Sequence, residues 1–151
     1  MLVGFLYDRR HTRRISDFGG LKKSMPIYAS IFLFTSFASI GLPGLNGFVG
    51  EFMILMGSYP TFKVLTSVAA FGVVLAAIYM LWAYQRMFNG QLDNDENAVL
   101  SDLNSKELVA VGPLLALMLF IGIYPSFIES YVVQDVSVIY ESISNLIGVS
   151  Q

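Results

Sequence analysis

Glu51 is the residue of this chain best placed to do chemistry. Eleven acidic side chains occur in 151 residues. The others fall in polar loops or along the C-terminal stretch, whereas Glu51 lies inside an apolar segment. A carboxylate at the centre of a membrane helix costs about 2.5–3.5 kcal/mol on insertion scales, so a group kept there faces an interior cavity and works in it. Loss of hydration raises its proton affinity, and a neighbouring cation or bound water lowers it again. The result is a carboxyl group able to load and release a proton near neutral pH. Glu51 is therefore the candidate proton-relay residue. The competing reading is that it sits one helical turn beyond Gly47 and caps unwound backbone, and the two roles are compatible.

The residues just before it support the relay. No charged side chain occurs from Ser24 to Gly50, and apolar character resumes after Glu51 as far as Phe62. One continuous helix over 26–57 would rise ~48 Å, against a hydrocarbon core about 30 Å thick. The run Gly41-Leu42-Pro43-Gly44-Leu45-Asn46-Gly47 supplies the break, through residues that tolerate non-helical torsions and a proline that donates no backbone hydrogen bond. Two half-helices over 26–41 and 48–58 follow, and Pro26 suits a first helical turn. Unwound backbone at membrane depth is tolerated where it is buried in protein or lines a watery cavity, and transporters use such helix ends repeatedly. Gly41, Pro43, Gly44 and Gly47 are thus expected to line the proton path. The plainer alternative is a helical hairpin, but 48–58 is too short to cross back.

The surrounding elements are read from hydropathy. The composition, 55% hydrophobic and 13% charged, suits lipid better than a watery surface. Residues 1–7 look like the last turns of a membrane helix whose beginning lies outside this sequence, and they lead into a polar run rather than a cleavage site, so a signal peptide is not expected. Residues 26–58 form the broken helix, 64–88 a spanning helix ending in aromatic anchors, and 107–124 a further, shorter span. Between them, residues 89–106 make an acidic loop with Asp93, Asp95, Glu96 and Asp102, bordered by Glu107. Over 126–147, Ile128, Val132, Val136, Ile139, Ile143 and Leu146 recur in steps of three and four, with Glu129, Asp135 and Glu141 elsewhere on the turn. That is the pattern of an amphipathic helix lying on the membrane or against a partner. The expected fold class is all-α, polytopic, with one discontinuous helix.

Eight of the nine basic residues precede the broken helix or flank the 89–106 loop, and only Lys63 lies in the turn between the first two spans. Basic residues are retained on the cytoplasmic side, so residues 8–24 and 89–106 are expected there and the C-terminus outside. His11 reads as a solvated histidine within that topology-setting basic run. Arg86 reads as a snorkelling interface residue or a partner contact beside Trp82. Both are kept as supporting candidates.

Other chemistry has no residues to carry it. There is no cysteine and a single histidine, which excludes disulfides, thiolate chemistry and a histidine-rich metal site. A net charge of −2 argues against nucleic acid as a partner. No phosphate loop, dinucleotide fingerprint or nucleophile motif occurs.

The motifs Tyr7-Asp8-Arg9-Arg10-His11-Thr12-Arg13, Gly19-Gly20-Leu21, Gly41 through Phe52 and Tyr84-Gln85-Arg86-Met87-Phe88-Asn89-Gly90 come in an order that resembles the C-terminal part of the M-type antiporter-like subunits of proton-pumping NADH:quinone oxidoreductase, respiratory complex I. The resemblance covers essentially the whole chain. It implies fourteen transmembrane helices with two inverted five-helix repeats, of which this chain would supply the end of the eleventh and the twelfth to fourteenth, the twelfth being discontinuous. It implies that the acid at Glu51 ends a line of charged groups along the membrane mid-plane and passes protons outward; sister subunits L and N and related antiporter subunits usually carry Lys there. It further implies an inner-membrane translocase of the electron-transport chain, with L and N as neighbours. NADH, FMN, iron–sulfur clusters and quinone would reside in partner subunits, with no cofactor here. Other working groups of the family, a Glu and two Lys on earlier helices, lie outside this sequence, so the chain alone is expected to be inactive. A subunit of a multi-subunit Na⁺/H⁺ antiporter and a non-catalytic membrane scaffold are the alternatives.

Overall fold

The computed structural model describes residues 1–92 and 94–147. Asp93 of the acidic loop, and the side chains of Asp135, Glu141, Ile143 and Leu146 in the expected tail pattern, lie outside what is described. Every regular element among the described residues is a helix. In chain order these are α1 (Leu2–Arg10), a 3₁₀ turn (Ile15–Asp17), α2 (Leu21–Ser24), α3 (Pro26–Ile40), α4 (Asn46–Ser58), α5 (Lys63–Phe88), α6 (Asp95–Ala98), α7 (Ser105–Ile123) and α8 (Ser126–Ile147).

Several boundaries differ from the hydropathy reading. α1 continues three residues past Tyr7, because Arg9 and Arg10 complete its last turn and His11 closes it in the left-handed conformation. The 8–24 segment is therefore not plain loop, and it also carries the 3₁₀ turn and α2. The 89–106 segment holds α6 and the first two residues of α7. α4 begins at Asn46, two residues earlier than expected, and α3 stops at Ile40, so Gly41 lies in the break itself.

α3 and α4 follow one another along the length of α5. At 15 and 13 residues they rise ~22 and ~20 Å, against ~39 Å for α5. α5 runs back along both: near its start Thr66 donates to the Ser58 hydroxyl at the end of α4, 3.1 Å away. At its end Phe88 packs on Tyr28 and Phe32 at the start of α3, ring centroids 5.8 and 5.1 Å apart. A hairpin would have returned the end of α4 to the start of α3, so the paired contacts rule it out.

The buried hydrophobic core lies at the end of the molecule where the connecting segments lie. Leu6, Phe18, Leu21, Met25, Tyr28, Met87, Phe88 and Leu103 form one buried cluster there, joining α1, α2, α3, α5 and the approach to α7. Away from it, α5 presents exposed Val64, Val68, Phe71, Val74 and Ile78. α5 and α7 are long and apolar enough to cross a membrane. A helix apolar on all sides is solvated by lipid or by further helices rather than by water.

Candidate functional site: the broken helix and Glu51

α3 ends in a Schellman cap. Gly41 takes φ 79°, and its N–H and that of Leu42 turn back onto the carbonyls of Ala38 and Phe37 at 3.4 and 3.0 Å. A residue in this left-handed conformation is usually glycine, since any Cβ is penalised there. Pro43 prevents the helix from resuming, Gly44 again has positive φ, and buried Leu45 is extended, with its N–H on the Leu42 carbonyl at 3.1 Å. α4 then starts beside the last turn of α3, where a Cβ on Gly47 would overlap the Ala38 carbonyl.

This overlap of the two half-helices sets the position of Glu51. From the second turn of α4 its half-buried carboxylate lies against Gly41, so that a Cβ on Gly41 would collide with it and stand 3.2 Å from its Cδ. Among the described residues the carboxylate makes neither a hydrogen bond nor an ion pair. Capping of the break is therefore not its role, because no amide of 41–47 donates to it. Among the described residues it stands at the gap between two half-helices with no cation paired to it. Of the predicted lining, Gly41 and Gly47 meet at this point; Pro43 and Gly44 form the exposed outer side of the turn.

The other supporting candidates lie elsewhere. His11 is exposed at the end of α1, edge-on to Tyr7 with centroids 5.8 Å apart. Arg86 is exposed with its guanidinium 5.3 Å from the Trp82 ring, two residues from Phe88 and hence near the start of α3, away from the break. Neither is brought to Glu51.

Two features escaped the sequence reading. The first is a polar clamp at the loop end. Arg9 forks onto Glu107 with Nη1 on Oε1 at 2.8 Å and Nη2 on Oε2 at 2.7 Å, and also donates to the Phe5, Ser101 and Asp102 carbonyls. Asp102 accepts from the backbone N–H of Ile27 and Tyr28 at 2.7 and 2.9 Å, capping α3 from 75 residues away. Glu107 and Asn104 complete a capping box at the start of α7. The second is Gly122 in the last turn of α7, where a Cβ would overlap the Gly44 carbonyl and the Leu45 Cα. An Asn-x-x-Glu signature over 104–107 was visible in the sequence; its partners were not. Among the described residues no three His, Cys, Asp or Glu side chains stand together as a metal site would require.

Comparison with known proteins places this arrangement in a family. A sequence profile described as "NADH:quinone oxidoreductase/Mrp antiporter, TM" matches residues 1–78, slightly more than half the chain. The chain belongs to that family. It is 44% identical over 135 residues to NADH-quinone oxidoreductase subunit M of Rhodobacter capsulatus, covering 87% of this chain and 26% of the relative. To subunit M of Rickettsia bellii it is 37% identical over 147 residues, 97% of this chain and 28% of the relative. A chain in respiratory complex I from Thermus thermophilus with bound NADH superposes with TM-score 0.75 and 35% identity, over 83% of this chain and 26% of that one. The all-α fold and the likeness to subunit M read from the motifs both stand. The chain spans about a quarter of the length of these relatives.

Proposed function

We propose that this chain is the C-terminal part of a proton-translocating, antiporter-like membrane subunit of NADH:quinone oxidoreductase, and that Glu51 is a proton relay within it. The observation that carries the reading is the Glu51 carboxylate, seated at the junction of two half-helices against Gly41 with no hydrogen-bond or ion-pair partner among the described residues. In this reading, charge arriving on neighbouring helices acts on that carboxyl group across a medium that screens it poorly. Redox energy would be supplied elsewhere: NADH, FMN, iron–sulfur clusters and quinone belong to partner subunits in this reading, and the chain alone performs no oxidoreduction. Antiporter-like subunits L and N are the proposed neighbours in the inner membrane.

Sidedness follows from charge. Arg9, Arg10, Lys106 and Arg86 are gathered by the clamp, α6 and the end of α5 at one end of the crossing helices, and Lys63 stands at the opposite end. Placing 8–24 and 89–106 in the cytoplasm and the C-terminus outside satisfies the positive-inside rule. The family description also includes Mrp antiporters; an acid at 51, where those subunits usually carry Lys, favours the oxidoreductase.

The test is Glu51→Gln in the assembled complex, in inverted membrane vesicles supplied with NADH. Quinone reduction and subunit assembly should persist while proton uptake is lost. Unchanged proton uptake per NADH oxidised would refute the relay.

A further inference from the structure

We propose that Gly122 of α7 is a positioning residue for Glu51, with α7 acting as a strut that seats the break; this rests on the relay reading above. α7 is fixed at both ends. Glu107 in its first turn is held by the two-toothed contact from Arg9, and the adjoining Asp102 carboxylate binds the first free amides of α3. α3 and α7 therefore start in a common register. From Ser105 to Gly122 the helix rises ~26 Å, and there its backbone meets the backbone of Gly44 and Leu45 with no side chain between them. Leu45 is buried at that contact, and its extended conformation is what launches α4 beside the last turn of α3.

The consequence reaches Glu51 through rigid backbone. The Gly44–Leu45 turn sets where Asn46 begins α4, the start of α4 sets Gly47 against Ala38, and that pairing sets the Glu51 carboxylate against Gly41. A methyl group at 122 would meet main-chain atoms that have no rotamer to escape into. Because α7 is held at its start by the Arg9 contact, the turn is what must give, and α4 then carries the acid to a new seat although neither Glu51 nor any other residue of α4 has been changed.

The experiment compares Gly122→Ala with Gly72→Ala, a control in the middle of α5 where a Cβ meets nothing within 4 Å, in the full-length subunit and the whole complex. Two quantities are read: proton translocation per NADH across a pH series, and the infrared carboxyl band that disappears in Glu51→Gln. The expected result for Gly122→Ala is translocation lowered on the order of tenfold or more, the size of effect that a displacement near 1 Å produces at a working group, with a displaced pH profile and a shifted carboxyl band. Gly72→Ala should leave all three as in the parent. If Glu51→Gln abolishes translocation while Gly122→Ala leaves pH profile and band unmoved, the positioning role is overturned and the relay survives. If Glu51→Gln still translocates, the relay falls, and the carboxyl band alone judges Gly122. Should the Gly122→Ala complex fail to assemble, the band measured on the full-length subunit in lipid nanodiscs decides: a shift supports the inference and an unchanged band overturns it.

Discussion

Replacing Asp102 should loosen the start of the broken helix, and the structure sets the size of the effect. Pro26 occupies the first helical position and has no N–H, so Ile27 and Tyr28 carry the first free amides of α3, and Asp102 accepts one with each carboxylate oxygen. Removing a side-chain cap of this kind costs about 0.5–2 kcal/mol, and removing a negative charge from a helix N-terminus adds about 0.3–1 kcal/mol. Asp102→Ala should therefore destabilise the subunit by about 2 kcal/mol. Asp102→Asn keeps a single acceptor oxygen and no charge, which places it near half that loss, about 1 kcal/mol. The assay is unfolding of the full-length subunit in mild detergent by titration with denaturing detergent, followed by circular dichroism at low and high salt. The charge contribution should shrink with added salt while the hydrogen-bond contribution persists. An alanine variant within about 0.5 kcal/mol of the parent, the range of an ordinary surface substitution, would show that the cap does not hold α3.

Gly47→Ala and Gly50→Ala lie one turn apart in α4 and gain the same helix propensity, but only the first meets backbone, at Ala38; Gly47→Ala should be less stable than Gly50→Ala by about 1–3 kcal/mol, the usual cost of overpacking, in the same unfolding assay. In the loop, the Thr12 hydroxyl donates to Asp17 at 2.6 Å and, with a smaller contribution from Ser16, holds its carboxyl below the usual carboxylate range. A depressed folded-state value means that this contact adds stability above the unfolded pKa and loses it as pH falls through the folded one. Thr12→Val should accordingly move the Asp17 titration upward, measurable by carboxyl-carbon NMR on a peptide-labelled subunit, and an unmoved titration would contradict the contact.

The position of the break was legible because its causes are local. A glycine able to take positive φ, a proline two residues later and a second glycine stop a helix whatever surrounds them, and an uncharged run longer than a bilayer needs had to be interrupted somewhere. Glu51 stood out for an equally local reason, since it is an acid with apolar neighbours on both sides. The end of α1 and the start of α4 differ from the hydropathy boundaries by three and two residues, because hydropathy marks where lipid begins, whereas a helix boundary falls where terminal backbone groups find partners, as where the His11 N–H meets the Tyr7 carbonyl.

By itself, then, the sequence determined an all-α membrane chain, a discontinuous helix between Pro26 and Ser58 and one acid beside its gap. Tertiary structure alone decided that α4 continues past α3 rather than folding back, that Asp102 and Arg9 tie helix starts far apart in the chain, and that Gly122 reaches the turn at Gly44. The physical reason is one of range. Torsional preference and hydropathy act over a turn or two of chain, but a carboxylate 75 residues from the amides it caps, or a glycine whose use is the backbone it lets approach, has no signature until the chain has packed.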